Sequence, residues 1–265
     1  MIDDGPIMGM TLIFFWWAKA TIFDPGSATA GQPDSEIKPI SKDSNYENIS
    51  TSFITWWTYY NNEIDLSSNF LAYDYNSNKI SKKEFLNLLT KGKFIPVKLE
   101  NKNNFSYKLL KCDNIEILKT INQESQKELE YFNREGELFP EFNFITLKNK
   151  NISSKSLKGN KTIIKTWFIN CAACVKEFPE LNSLVENSKS KNYTFISFAF
   201  DEAEKLQSFL KTKPLNYNNI SVDKKFIEDK LKLNQYPTHI VIDENGKIEK
   251  IFNNSTRLIS YLKNK

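Results

Sequence analysis

Two of the three cysteines in this 265-residue chain, Cys171 and Cys174, stand three positions apart at the foot of a helical pattern. Thiols so placed can cycle between a dithiol and a disulfide. At the start of a helix the first sulfur lies near the surface, where unpaired backbone N–H groups and the positive end of the helix dipole favour the thiolate; the second turns inward within bonding reach. Cys171 is therefore expected to attack and Cys174 to resolve. The same spacing also serves half a zinc site or an inert pair, so the flanking sequence has to decide.

The flanks are those of a redox site. Thr162-Ile163-Ile164, continued by Thr166 and Trp167, reads as a buried strand leading into the cysteines, and Cys174 to Asn187 as an amphipathic helix with Pro179 inside it. Tyr236-Pro237-Thr238 precedes the β-rich run Ile240-Val241-Ile242; a proline ahead of a core strand favours a cis peptide bond. Phe142 to Leu147 and Asn151 to Leu157 lead into this unit. Tyr193 to Phe200 reads as a second central strand, Glu202 to Lys211 as a crossover helix and Lys224 to Leu231 as a short helix. His239 to Asp243 and Lys247 to Phe252 form a hairpin about Glu244-Asn245-Gly246, before a terminal helix from Thr256. Strands alternating with helices and closing in a hairpin predict an α/β three-layer sandwich.

From about Gly136 to Lys265 the chain resembles the TlpA/ResA-type branch of the thioredoxin superfamily, the membrane-associated or exported bacterial thiol-disulfide oxidoreductases. The matching stretches are GELFPEFNF, WFINCAACVKEFPELN and YPTHIVIDENGKI. The resemblance implies a thioredoxin-like fold, catalysis by Cys171 and Cys174, Pro237 as the cis-proline facing the disulfide, and Glu177 near the active site. It places Trp167, Asn170, Ala172, Ala173, Tyr236 and Thr238 along the bound substrate, with no cofactor beyond the Cys171–Cys174 pair. It further implies protein disulfide substrates such as apocytochrome c, a membrane thiol-electron donor, and a periplasmic or cell-envelope location. Two positions depart from thioredoxin itself. Asn170 replaces the usual tryptophan, and Lys165 stands where thioredoxins bury an aspartate, leaving Glu177 as the substitute for proton transfer.

The rest of the chain is organised around this half. Its length suits about two domains at ~100–200 residues each. A formal charge of +4, with no phosphate-binding glycine loop and no basic aromatic array, argues against nucleic acid. Residues 1–30 read as a signal peptide or membrane anchor: the apolar run from Ile7 to Phe23 is broken by Lys19, and Ala28-Thr29-Ala30 offers a cleavage site, although Asp3 and Asp4 stand where positive charge is usual. Residues 31–48 read as a linker, 49–113 as a small α+β or mostly β accessory domain, 114–135 as a connecting helix, and 136–265 as the thioredoxin-like domain. Within 49–113, strands are expected at Phe53 to Tyr60, Phe70 to Tyr75, Phe94 to Leu99 and Phe105 to Leu110, with a helix from Lys82 to Leu89 capped by Ser81. Asp74, Asn76 and Asn78 mimic a calcium loop, but Lys79 occupies the glycine position, so a solvated turn is expected. Cys112 reads as a half-buried structural thiol.

Other readings compete at single residues. Glu177 equally fits a solvated helix carboxylate, His239 a strand-face residue and Trp167 packing beneath the site. Ala172-Ala173 offers a Cys171 thiolate no cationic neighbour, which predicts a reducing pair. The alternative function is metal handling, with Cys171, Cys174 and His239 as copper ligands of a thioredoxin-fold chaperone. A peroxidase is disfavoured because no Pro-x-x-x-Thr-x-x-Cys pattern precedes Cys171.

Overall fold

The computed structural model describes residues 49–50, 52–99, 105–189 and 191–265. The apolar run at 7–23, the cleavage site at 28–30 and the linker at 31–48 lie outside the described residues. Among the described residues no helix is long and apolar enough to cross a membrane.

The accessory segment opens with helix α1 (Phe53–Glu63). A strand was the expectation for Phe53 to Tyr60, and the structure corrects it. Ser52 Oγ accepts the Thr55 N–H, and Trp56 and Tyr60, four residues apart, bury one face of the helix. Aromatic content suggested a strand, but the spacing is helical. Then come β1 (Leu71–Tyr73), β2 (Lys79–Ile80), α2 (Lys82–Leu89), β3 (Phe94–Lys98) and β4 (Ser106–Lys111), the strands ordered β2-β1-β4-β3. With two helices among the strands the segment is α+β, not mostly β. Ser81 caps α2 by accepting the Glu84 N–H at 3.1 Å. Asp74 Oδ1 accepts the N–H groups of Asn76 and Asn78, the Asx turn expected there.

Helix α3 (Ile115–Arg134) belongs to two cores. Its Ile117 and Ile121 pack with Trp56, Phe85 and Tyr107 in the accessory core, while Tyr131 packs with Phe139, Ile164 and Ile251 in the next. Gly136, at φ +87°, then turns the chain, a backbone conformation that suits glycine.

The second half contains a small β5 (Asn143–Ile145) and β6 (Asn151–Ser153) pair and a five-stranded sheet. The sheet runs β11 (Ile248–Phe252), β10 (Thr238–Ile242), β7 (Lys161–Trp167), β8 (Tyr193–Ala199), β9 (Asn218–Ser221). Strands β7, β8 and β9 are parallel, and β10 is antiparallel to both its neighbours. Helices α4 (Ala172–Lys176), α5 (Phe178–Asn187), α6 (Ala203–Thr212) and α7 (Ser255–Lys263) complete the unit. Side chains alternate along β7: Ile164 enters the core shared with α3, whereas Ile163 and Trp167 enter the core under Cys171, Cys174, Phe178 and Leu258. Both faces are therefore covered, giving the thioredoxin-like three-layer sandwich.

One local expectation fails here, and one element is new. The single helix from Cys174 to Asn187 is two helices that meet at Glu177, because Pro179 lacks an N–H and sits in the first turn of α5. Edge strand β9 was not anticipated, since Asn218 and Asn219 interrupt any apolar pattern.

Candidate active site

Strand β7 delivers the chain to Phe168-Ile169-Asn170, and Cys171 then caps α4. The loop is pinned where Ile169 N–H donates to Asp201 Oδ2 at 2.8 Å. Cys171 and Cys174 are joined by a disulfide, with Cα atoms 5.2 Å apart. Cys171 retains 7% of its surface and Cys174 none, so Cys171 is the sulfur an incoming partner meets first. The Cys174 N–H lies 3.2 Å from Cys171 Sγ. That amide, together with the helix start, is what would hold negative charge on Cys171 once the bond is opened.

The Tyr236–Pro237 bond is cis. Thr238 pairs with Thr166, so Pro237 comes level with Trp167 at the end of β7 from which the cysteine loop departs. Tyr236 packs edge-on to Phe168 at 5.4 Å, and Phe168 stacks on Phe200 at 5.0 Å, forming a half-buried aromatic rim. Asn170, Ala172 and Ala173 are exposed beside the disulfide. An open groove of about 770 Å³ runs from Asn170 and Ala172 past Val175 and Phe209 to Lys213. Trp167 and Thr238, expected along the substrate, are fully buried. Trp167 lies in the core beneath the pair, its indole N–H donating to Ser197 Oγ at 3.1 Å.

Glu177 is the carboxylate of the site. Three residues after Cys174, it shares the inward side of the turn and is only 8% exposed. Its Oε2 receives Lys165 Nζ at 2.5 Å and His239 Nε2 at 3.0 Å, and its Oε1 the Ser255 N–H at 2.9 Å. Lys165 and His239 are direct neighbours across β7 and β10, on the face that α4 and α5 cover. Burial pushes the Glu177 carboxyl up, but the His239 hydrogen bond and charge, and then Lys165, reverse this and bring it down to about 2. Burial and the Lys165 charge push His239 down to about 4. His239 is thus neutral at pH 7, its Nε2–H donates to Glu177, and the charge compensating Glu177 there is that of Lys165. Burial lowers Lys165, with Glu177 opposing.

Glu177 is accordingly neither a solvated carboxylate nor a free proton acceptor; it is the centre of a buried, charge-paired cluster. Sequence reasoning flagged Lys165 only as a departure and missed the partnership of Lys165, His239 and Ser255. A lysine inside a strand otherwise buried on both faces requires an anion nearby, and that was the available signal. The copper reading loses its third ligand, because His239 faces Glu177. Among the described residues no group of three or more His, Cys, Asp or Glu is arranged to hold a metal.

A cysteine pair at a helix start over a mixed five-stranded sheet, with a cis-proline at the same end, defines a thioredoxin-like dithiol protein. Residues 136–251 match the AhpC/TSA family. The chain is 32% identical over 125 residues to the thiol-disulfide oxidoreductase ResA of Bacillus cereus, covering 46% of this chain and 72% of that one. It is 30% identical over 122 residues to the thioredoxin-like protein YneN of Bacillus subtilis, covering 44% and 71%. Among solved structures, the thioredoxin domain of a thiol-disulfide oxidoreductase from Bacteroides vulgatus aligns with a TM-score of 0.45 at 24% identity, over 49% of this chain and 96% of its own. The chain belongs to the ResA-like thiol-disulfide oxidoreductases of the thioredoxin superfamily.

Proposed function

We propose that this oxidoreductase reduces protein disulfides in the bacterial cell envelope through Cys171 and Cys174. The Cys171 thiolate attacks one sulfur of a substrate disulfide. The substrate S–S bond breaks, a Cys171–substrate disulfide forms, and the departing substrate thiolate takes a proton. Cys174, deprotonated, then attacks Cys171 Sγ and expels the second substrate thiolate, which is protonated in turn. Two electrons have passed to the substrate and the Cys171–Cys174 disulfide remains. A membrane thiol donor returns the pair to the dithiol, and an apocytochrome c is a substrate of the right kind. The N-terminal apolar segment would direct export as a signal peptide or hold the protein at the membrane as an anchor. Residues 136–265 carry the chemistry, with 49–113 as an accessory domain and 114–135 as the helix between them. On this reading Pro237 and Tyr236, with Asn170, Ala172 and Ala173, line the docked peptide.

The observation that carries the reading is the bonded pair with unequal access, Cys171 retaining 7% of its surface and Cys174 none. The test is trapping: with Cys174→Ser expressed in its native envelope, substrates should remain attached through Cys171, and reductant should release them. Absence of adducts in Cys174→Ser, with no disulfide reduction by the purified wild type, refutes the assignment. The direction of flow is tested by equilibration with glutathione. A reducing pair should poise nearer the roughly −270 mV of thioredoxin than the roughly −120 mV of a strong oxidant.

A further inference from the structure

The first turn of α7 touches both the Glu177 cluster and the accessory segment, through residues two positions apart. On one side the Ser255 amide, one of the first-turn N–H groups with no acceptor in its own helix, donates to Glu177 Oε1 at 2.9 Å. Ser255 Oγ also donates to Glu180 of α5. On the other side Arg257 leaves the redox half altogether. Its Nη2 donates to the Ile64 carbonyl at 3.0 Å, its Nε lies 3.4 Å from Asp65 Oδ1, and its Nη1 lies 3.4 Å from Glu128 Oε1. Its side chain is only 14% exposed. Asn254 closes the turn by accepting the Arg257 N–H at 2.9 Å.

We propose that Arg257 is a positioning residue for Glu177, the carboxylate three residues after Cys174: held by the end of α1 and by α3, it fixes the first turn of α7 so that the Ser255 amide stays on Glu177. This gives the accessory segment a hold on the carboxylate of the site, whose part in the chemistry rests on the reading of Cys171 and Cys174 as a working pair. A guanidinium forked between three acceptors fixes direction as well as distance, which a flexible ammonium does less well. The continuity runs from Cys174 one helical turn to Glu177, then to Ser255 and Arg257, and on to Ile64, Asp65 and Glu128. Losing the fork frees the turn, and Glu177 then keeps only Lys165 and His239.

The test uses the full chain in its reduced form and follows the Glu177 carboxyl by carbon-13 NMR titration. Lys165, His239, Glu180 and Tyr217 face this group and stay unaltered. Arg257→Ala should raise the Glu177 midpoint by about one unit, roughly a tenfold gain in proton affinity, the lower end of what losing one hydrogen bond to a charge produces. Arg257→Lys should restore part of it. Ser255→Pro removes the amide at a helix position where proline is tolerated, and should raise the midpoint similarly, with Ser255→Ala as the hydroxyl control. Combining Arg257→Ala with Ser255→Pro should add nothing to Ser255→Pro alone. An unmoved midpoint in folded Arg257→Ala, or simple additivity in the double variant, overturns the proposal. If Arg257→Ala does not fold, Asp65→Asn with Glu128→Gln loosens the same fork and is read the same way. Disulfide reduction by the wild type is measured alongside: its absence defeats the functional reading, whereas an active wild type with an unmoved midpoint defeats only this one.

Discussion

Replacing Lys165 with methionine tests the charge accounting of the site. Lys165 is fully buried with its ammonium 2.5 Å from Glu177 Oε2. At an effective dielectric of about 20 the attraction over that distance is roughly 332/(20 × 2.5), or about 7 kcal/mol, from which the cost of desolvating the ammonium must be subtracted. Removing one member of such a pair costs about 3–5 kcal/mol, because a buried charge is left uncompensated. The pH dependence supplies the sharper signature. In the wild type Glu177 is held down at about 2, so it contributes stability above its unfolded pKa near 4.5 that is lost only as pH falls through about 2. Without Lys165, burial pushes the carboxyl up and the imidazole is released from a neighbouring cation. Whichever of the two takes the proton on acidification, the variant's folded state gains one that the wild type does not. The stability gap measured by urea unfolding of the oxidised proteins should therefore be about 3–5 kcal/mol at pH 7 and narrow by pH 5. Adding Glu177→Gln to Lys165→Met should recover much of the loss. An unchanged gap between the two pH values, or a variant as stable as the wild type at pH 7, would falsify the assignment of Lys165 as the compensating charge.

Three further outcomes follow from the same geometry. His239, the chain's one histidine, has its folded pKa depressed from 6.5 to about 4, so the stability it confers is present above about 6.5 and lost as pH falls through about 4. The difference between wild type and His239→Gln should thus fall by about 3 kcal/mol or more between pH 7 and pH 4, because Glu177, no longer held down by His239, takes up a proton more readily in the variant; Glu128, pushed up by burial to about 7, cancels in that difference. Ser197→Ala strands the buried Trp167 indole N–H and should cost about 1–3 kcal/mol in urea unfolding, with tryptophan emission altered in the native state. Cys112 is buried with its thiol pushed up by burial, so the oxidised native protein should react slowly with thiol reagents, yielding one thiol after denaturation and three after reduction as well.

What was readable in the chain depended on whether a feature is local. The strand-cysteine-helix order, the Ser81 cap and the Asx turn at Asp74 are set by neighbours a few residues apart, and all three stand where expected. Phe53 to Tyr60 was misread because aromatic residues favour strands, whereas tertiary packing uses the four-residue spacing of Trp56 and Tyr60. Lys165 and His239 could each be singled out, yet their adjacency depends on the register of β7 with β10, which the seventy-odd intervening residues determine. Arg257 looked like an ordinary residue of a terminal helix, since its partners at Ile64, Asp65 and Glu128 come from the far half of the chain.

Helix α3, with Ile117 and Ile121 in one core and Tyr131 in the other, limits how this protein can be dissected. A cut at residue 135 would leave the β11 side of the redox sheet without its cover, and a cut at residue 114 would leave the accessory core without its closing helix. Neither cut would yield a faithful miniature of the whole, and denaturation should be seen as one event by probes placed in either core.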